Sequence, residues 1–145
     1  MKGGTRMRII LVSHGRLALG MQDTVKFIMG ETPNLSAYAA YVDSDESKYV
    51  YSIEAELTQH PEEEFVICTD VLGGSVNTTM IQLLKDYPSV ELIAGMNLPL
   101  ILQLLAESTV KDKDKLAEVV ESAQQALVDV NGLLAAQKNG EEDDL

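Results

Sequence analysis

Apolar residues in this chain fall into short unbroken runs separated by stretches of helical spacing, and two of the runs end in a titratable side chain. The first, Ile9-Ile10-Leu11-Val12, shows no polar alternation, which is the pattern of a strand buried on both faces in a parallel sheet. It stops at Ser13-His14-Gly15. Leu17, Met21, Val25, Ile28 and Met29 then recur at helical spacing, and Gly30 is placed to end that helix. Residues 35–42 predict a second strand after the turn residues Thr32-Pro33-Asn34. Val50, Ile53 and Leu57 mark one face of a polar helix over 47–59, entered through Asp43-Ser44-Asp45-Glu46 and stopped by His60-Pro61.

The same alternation continues. Residues 65–70 predict a third strand ending in Asp70, and Val71-Leu72-Gly73-Gly74-Ser75 leads into a helix over 76–85. A fourth strand is expected over 90–97, with Pro99 suited to the first turn of a helix reaching about residue 108. That helix is apolar nearly all round, so it must be buried on more than one side, which fits a place between the sheet and a second subunit or a thick core within one chain, two readings that do not exclude each other. Residues 111–115 predict a surface connection and 116–127 a last amphipathic helix; 128–134 fit a short strand or more helix equally well. The order β-α-β-α-β-α-β-α implies right-handed crossovers and an α/β fold, a mainly parallel sheet covered by helices.

Length and composition narrow the class. One hundred and forty-five residues, 46% hydrophobic and 23% charged, suit one ordinary domain, 8–134, between a flexible N-terminus, 1–7, and an acidic, disordered tail, 135–145. A net charge of −12, from 11 Lys and Arg against 23 Asp and Glu, argues against a nucleic-acid binder, because phosphate backbones are gripped by cations. The single cysteine, Cys68, allows no intramolecular disulfide and lies inside an apolar run, where a small core residue is expected. No stretch is apolar enough to span a bilayer, and the reading is of a cytoplasmic protein.

The chemistry gathers at the strand ends. In open α/β sheets the crevice at the carboxyl ends of the strands takes ligands, so His14 and Asp70, ending two parallel strands, can emerge on one edge. A carboxylate bonded to one imidazole nitrogen fixes the tautomer and leaves the other nitrogen free as a nucleophile. Gly73 and Gly74 let the backbone approach a ligand, Ser75 can cap the following helix, and that helix's first N–H groups attract an anion. With Ser13 and Ser75 as further donors, the set reads as a site that takes up and gives back phosphate on His14. It matches no nucleotide-binding motif, and it offers no partners for hydrolysis, metal ligation or hydride transfer. His60, before a proline in an acidic turn, is expected to be an ordinary exposed histidine.

At these residues the chain resembles a known family. IILVSHG, CTDVLGGS and ELIAGMNLP are similar, in order and spacing, to the three signature stretches of the IIA component of the mannose class of the bacterial phosphoenolpyruvate-dependent sugar phosphotransferase system, over about residues 8 to 130. The resemblance implies a homodimer with a four-stranded parallel sheet and a short antiparallel C-terminal strand, about 128–133, exchanged between subunits. It implies that His14 accepts a phosphoryl group from the carrier HPr through its Nε2, with Asp70 holding the opposite nitrogen, and passes it to the IIB component. The membrane components IIC and IID would stand beyond IIB, so peripheral association with the transporter is expected, with no metal, nucleotide or other cofactor. One departure is Val76, where the family often has proline, with Asn77 one residue early.

Two other readings stay open. LVSHG is also similar to the strand-ending Arg-His-Gly of histidine phosphatases, but Ser13 stands in place of the arginine, and only Arg16 and His60 remain to assist. A regulatory domain of the same fold, or a phosphocarrier of the dihydroxyacetone-kinase type, would use phosphorylation of His14 differently.

Overall fold

The computed structural model describes residues 7–139. Four strands, β1 (Met7–His14), β2 (Leu35–Ala40), β3 (Glu64–Thr69) and β4 (Glu91–Ala94), form one parallel sheet in the order β2-β1-β3-β4. Between and after them run six helices: α1 (Leu17–Met29), α2 (Lys48–Gln59), α3 (Ser75–Leu83), α4 (Leu98–Leu105), α5 (Lys113–Gln125) and α6 (Val130–Lys138). The α/β alternation and parallel sheet are as the pattern predicts.

Side-chain alternation along β1 divides the core in two. Met7, Ile9 and Leu11 pack with residues of α1, α4 and α5, whereas Ile10 and Val12 pack with residues of α2 and α3, which makes three layers. Ile9, Ile10, Leu11 and Val12 are all fully buried, so each contributes on the order of 1.5–3 kcal/mol of burial free energy. The same parity sends Ser13 toward α1 and His14 toward α2 and α3, and this decides which of them can serve a common site.

Several boundaries and faces differ from the pattern. The second strand stops at Ala40, because Tyr41 takes a left-handed backbone, φ 66°. On α1 the inward residues are Ala18 and Val25 with Met21 beside them, whereas Leu17, Ile28 and Met29 are largely exposed. A small residue lets α1 lie close to the sheet, a contact invisible to a count of large apolar side chains. α5 begins at Lys113 rather than 116, since Asp112 caps it, accepting hydrogen bonds from the Asp114 and Lys115 amides. The all-round apolar α4 buries Leu100, Ile101 and Leu104, and Leu98, Leu102 and Leu105 pack against the same cluster. α1 and α5 of its own chain cover its further sides.

The C-terminal segment corrects an expectation. Residues from Val130 onward form α6 instead of an antiparallel strand, and no residue of α6 is buried. A helix satisfies its backbone from within, whereas a strand there would need a sheet edge to pair with. Because α6 runs to Lys138, residues 135–138 belong to it rather than to a tail, and Met7 is the buried first residue of β1 rather than part of a lead-in. The remainder of the acidic tail and residues 1–6 lie outside the described residues.

At the opposite end of the sheet from His14, Arg8, Ser36 and Tyr38 converge on the buried Glu56 of α2. Arg8 Nε donates to Glu56 Oε2 at 3.1 Å, Ser36 Oγ to the same oxygen at 2.9 Å, and Tyr38 Oη to Oε1 at 2.6 Å. Burial, reinforced by the bond to Glu56, pushes the Tyr38 phenol far above its ordinary range.

Candidate active site

β1 and β3 run parallel as neighbours, so their C-terminal ends lie on one edge of the sheet, and the residues that follow meet there. His14 closes β1; Gly15, with φ 57°, turns the chain away, its amide donating to the Ala40 carbonyl at 2.9 Å. Asp70 follows β3. Its Oδ2 accepts both the His14 backbone amide and ring Nδ1, each at 2.8 Å, and Oδ1 accepts the Val71 amide at 3.0 Å. The Asp70 side chain is only 8% exposed, whereas that of His14 is 44% exposed. Burial raises the Asp70 carboxyl, but hydrogen bonds from the His14 ring and amide, the ring's charge and a further backbone bond outweigh it and hold the group below the ordinary carboxylate range.

An ionised carboxylate can only accept, so His14 Nδ1 carries a proton, and in the neutral ring Nε2 presents a lone pair. Facing Nε2 at 3.1 Å is Ser75 Oγ, from the first residue of α3. Ser75 Oγ in turn lies 2.8 Å from the phenol oxygen of Tyr41, whose ring sits 5.5 Å from the His14 ring.

The glycine turn shapes the space beside this row. Gly73 adopts φ 82°, and Gly74 caps α3 in an extended conformation. A Cβ on Gly74 would come within 3.3 Å of both His14 Cε1 and the Val71 carbonyl oxygen, so the absent side chain is what lets α3 start against the imidazole. The Gly74 amide is committed to the Val71 carbonyl at 3.1 Å. The amides left without an intrahelical partner belong instead to the first turn of α3, at Ser75, Val76 and Asn77.

The structure thus brings His14, Asp70, Ser75 and the Gly73-Gly74 turn together, but not the Ser13 hydroxyl. Ser13 is fully buried on the α1 side of β1, where its Oγ accepts the Ala18 amide at 2.8 Å and donates to the Gly15 carbonyl at 3.4 Å. It anchors the start of α1 and has no donor left to offer. Val76 is fully buried in the α2–α3 core, and the buried Asn77 accepts the Thr69 hydroxyl at 2.9 Å, tying α3 to the end of β3. The departure from the family loop pattern therefore falls on packed residues.

Tyr41 was not among the residues singled out by sequence. The strand-end rule that found His14 and Asp70 applies equally to β2, and Tyr41 is its first residue beyond the strand.

His60 lies elsewhere: it precedes β3, at the other end of the strand from Asp70, with Nδ1 3.1 Å from Glu63 Oε2. Arg16 is exposed at the start of α1. Cys68 is fully buried, and burial pushes its thiol up to about 12, which makes it a core residue. Among the described residues no group of three or more His, Cys, Asp and Glu side chains could hold a metal, and no helix is long and apolar enough to cross a membrane. Val71 and Leu72, which follow Asp70, and Tyr41 and Val42, which follow β2, are all exposed.

Residues 8–124 match the family model described as the phosphotransferase system fructose IIA component. A sorbose-specific EIIA component from Klebsiella pneumoniae is 31% identical over 75% of this chain and 80% of its own length. A fructose-specific EIIA component from Bacillus subtilis is 24% identical over 68% of each. Among solved structures, a Klebsiella pneumoniae protein described as a phosphoenolpyruvate-dependent sugar phosphotransferase system permease superposes with a TM-score of 0.78 at 30% identity, covering 90% of this chain and 96% of that one.

Proposed function

Because the chain belongs to the EIIA components of the phosphotransferase system, of the mannose, fructose and sorbose type, we propose that it accepts a phosphoryl group on His14 Nε2 from phosphohistidine on HPr and passes it to a histidine of the IIB component. The observation that carries this reading is the 2.8 Å bond between His14 Nδ1 and Asp70, which leaves Nε2 of a partly exposed ring as the nitrogen that can attack.

In the uptake step the Nε2 lone pair forms the new P–N bond while the P–N bond to the donor imidazole breaks, its electron pair returning to that nitrogen. The His14 ring keeps its Nδ1 proton and becomes cationic, and the adjacent Asp70 carboxylate stabilises that charge. The Ser75 hydroxyl and the free amides of the α3 first turn are the groups available to the phosphoryl oxygens. Transfer to IIB reverses these events. A phosphohistidine donor is already activated, so the residues present suffice without metal or nucleotide. We assign the chain to the cytoplasm, as a homodimer associating peripherally with the membrane components IIC and IID.

Incubation with phosphoenolpyruvate, enzyme I and HPr is expected to add one acid-labile phosphoryl group per chain, and His14→Ala to abolish it. Label that persists in that variant, or that moves to His60, would overturn the assignment.

A further inference from the structure

Resting on the phosphotransfer reading above, we propose that Tyr41 is a positioning residue: its phenol holds the Ser75 hydroxyl so that the Ser75 proton points first at His14 Nε2 and then at the arriving phosphoryl group. The direction of the chain follows from donor counting. In the neutral ring that can attack phosphorus, Asp70 holds the one ring proton on His14 Nδ1, so Nε2 can only accept, and Ser75 Oγ must donate across the 3.1 Å contact. With its one proton committed, Ser75 can only accept across the 2.8 Å contact with Tyr41, whose O–H donates. The order is Tyr41 O–H to Ser75 O–H to His14 Nε2.

This order has a consequence for the nucleophile. In the resting chain the lone pair that must attack phosphorus is covered by the Ser75 proton. Uncovering it requires the O–H to turn off Nε2 and the oxygen to slip aside from the line of attack, by no more than keeps it beside the ring. The bond from Tyr41 supplies the restraint on that oxygen, and after rotation the same proton meets a phosphoryl oxygen. No covalent bond to Tyr41 or Ser75 forms or breaks.

The backbone supports the assignment. Tyr38 and Ala40 pack on the α2–α3 side of β2, so strict alternation would send residue 41 to the α1 side. Instead Tyr41 takes φ 66°, a conformation that bulky L residues seldom adopt and that tends to occur at functional sites. That turn brings the ring to the α2–α3 side, edge-on to Tyr49 of α2 with centroids 6.3 Å apart, and sets the phenol on Ser75.

The test compares wild type, Tyr41→Phe, Ser75→Ala and the double variant by rapid-quench transfer from phosphorylated HPr, together with the ¹⁵N resonances of His14 in the unphosphorylated protein. Tyr41→Phe keeps the ring and its packing. It should slow transfer roughly three- to tenfold, the worth of one hydrogen bond, and move the Nε2 resonance toward its unbonded position while Nδ1 stays protonated. The double variant should be no slower than Ser75→Ala alone. Wild-type rates and an unmoved Nε2 resonance in Tyr41→Phe would overturn the proposal, as would losses that multiply in the double variant. A wild-type chain that takes no label on His14, while the resonance still responds to Tyr41→Phe, would instead refute phosphotransfer and leave the hydroxyl chain standing.

Discussion

Asp70 Oδ2 receives two hydrogen bonds from one residue, the backbone amide and the ring Nδ1 of His14, both at 2.8 Å. The carboxylate therefore fixes the position of the strand end and the tautomer of the ring together, and a change at Asp70 reaches both.

Asp70→Asn should keep the fold and slow phosphorylation of His14 by about 10²- to 10⁴-fold, because a neutral amide neither selects the Nδ1–H tautomer nor stabilises the cation formed on attack. Single-turnover rates with phosphorylated HPr, alongside a circular dichroism spectrum, check this. An unchanged rate would remove Asp70 from the mechanism.

The depressed Asp70 carboxyl also predicts a pH dependence of stability. A group whose folded pKa lies below its unfolded value of about 3.9 contributes stability that is present above that value and is lost as pH falls through the folded one. The difference in urea midpoint between wild type and Asp70→Asn should be present at about pH 5 and shrink below about 4. A difference that stays constant into strong acid would show that the ionised form is not the one preferred by the fold.

Gly74→Ala is expected to impair the site and cost stability. The new methyl would meet His14 Cε1 and the Val71 carbonyl at 3.3 Å, and the carbonyl belongs to the turn that Gly74 itself closes. Displacing this turn should cost about 1–3 kcal/mol and shift the His14 ring. Urea titration and the His14 ring resonances report the two effects separately.

Glu56→Gln should separate the two effects, lowering stability by about 1–3 kcal/mol while sparing phosphorylation. The amide removes the charge facing Arg8 and sets an NH2 among groups that already donate, Ser36 and Tyr38. Denaturation midpoints and His14 labelling on the same preparation test the pair of outcomes.

The sequence was legible where burial is uniform. Runs such as Ile9-Ile10-Leu11-Val12 have one stable use, a strand between two helical layers, and the register of parallel strands then brings His14 and Asp70 to one edge. It was less legible where a side chain's direction depends on parity or on a single backbone angle. Ser13 and His14 are adjacent and look equally reactive, yet alternation buries one hydroxyl under α1 and presents the ring on the other face. Tyr41 reads as the continuation of a strand, and nothing in its residue type announces φ 66°. For residues 128–134, strand and helix differ in what the backbone pairs with rather than in side-chain pattern, so spacing had no means of choosing α6.

β1 carries the Arg8–Glu56 cluster at its beginning and the His14–Asp70 pair at its end, six residues apart, which in a strand is about 20 Å. At that separation, with no shared partner, substitutions at the two ends add their effects independently. Selection could thus adjust how firmly this protein folds at one end of a single strand without retuning the reactivity of the imidazole at the other.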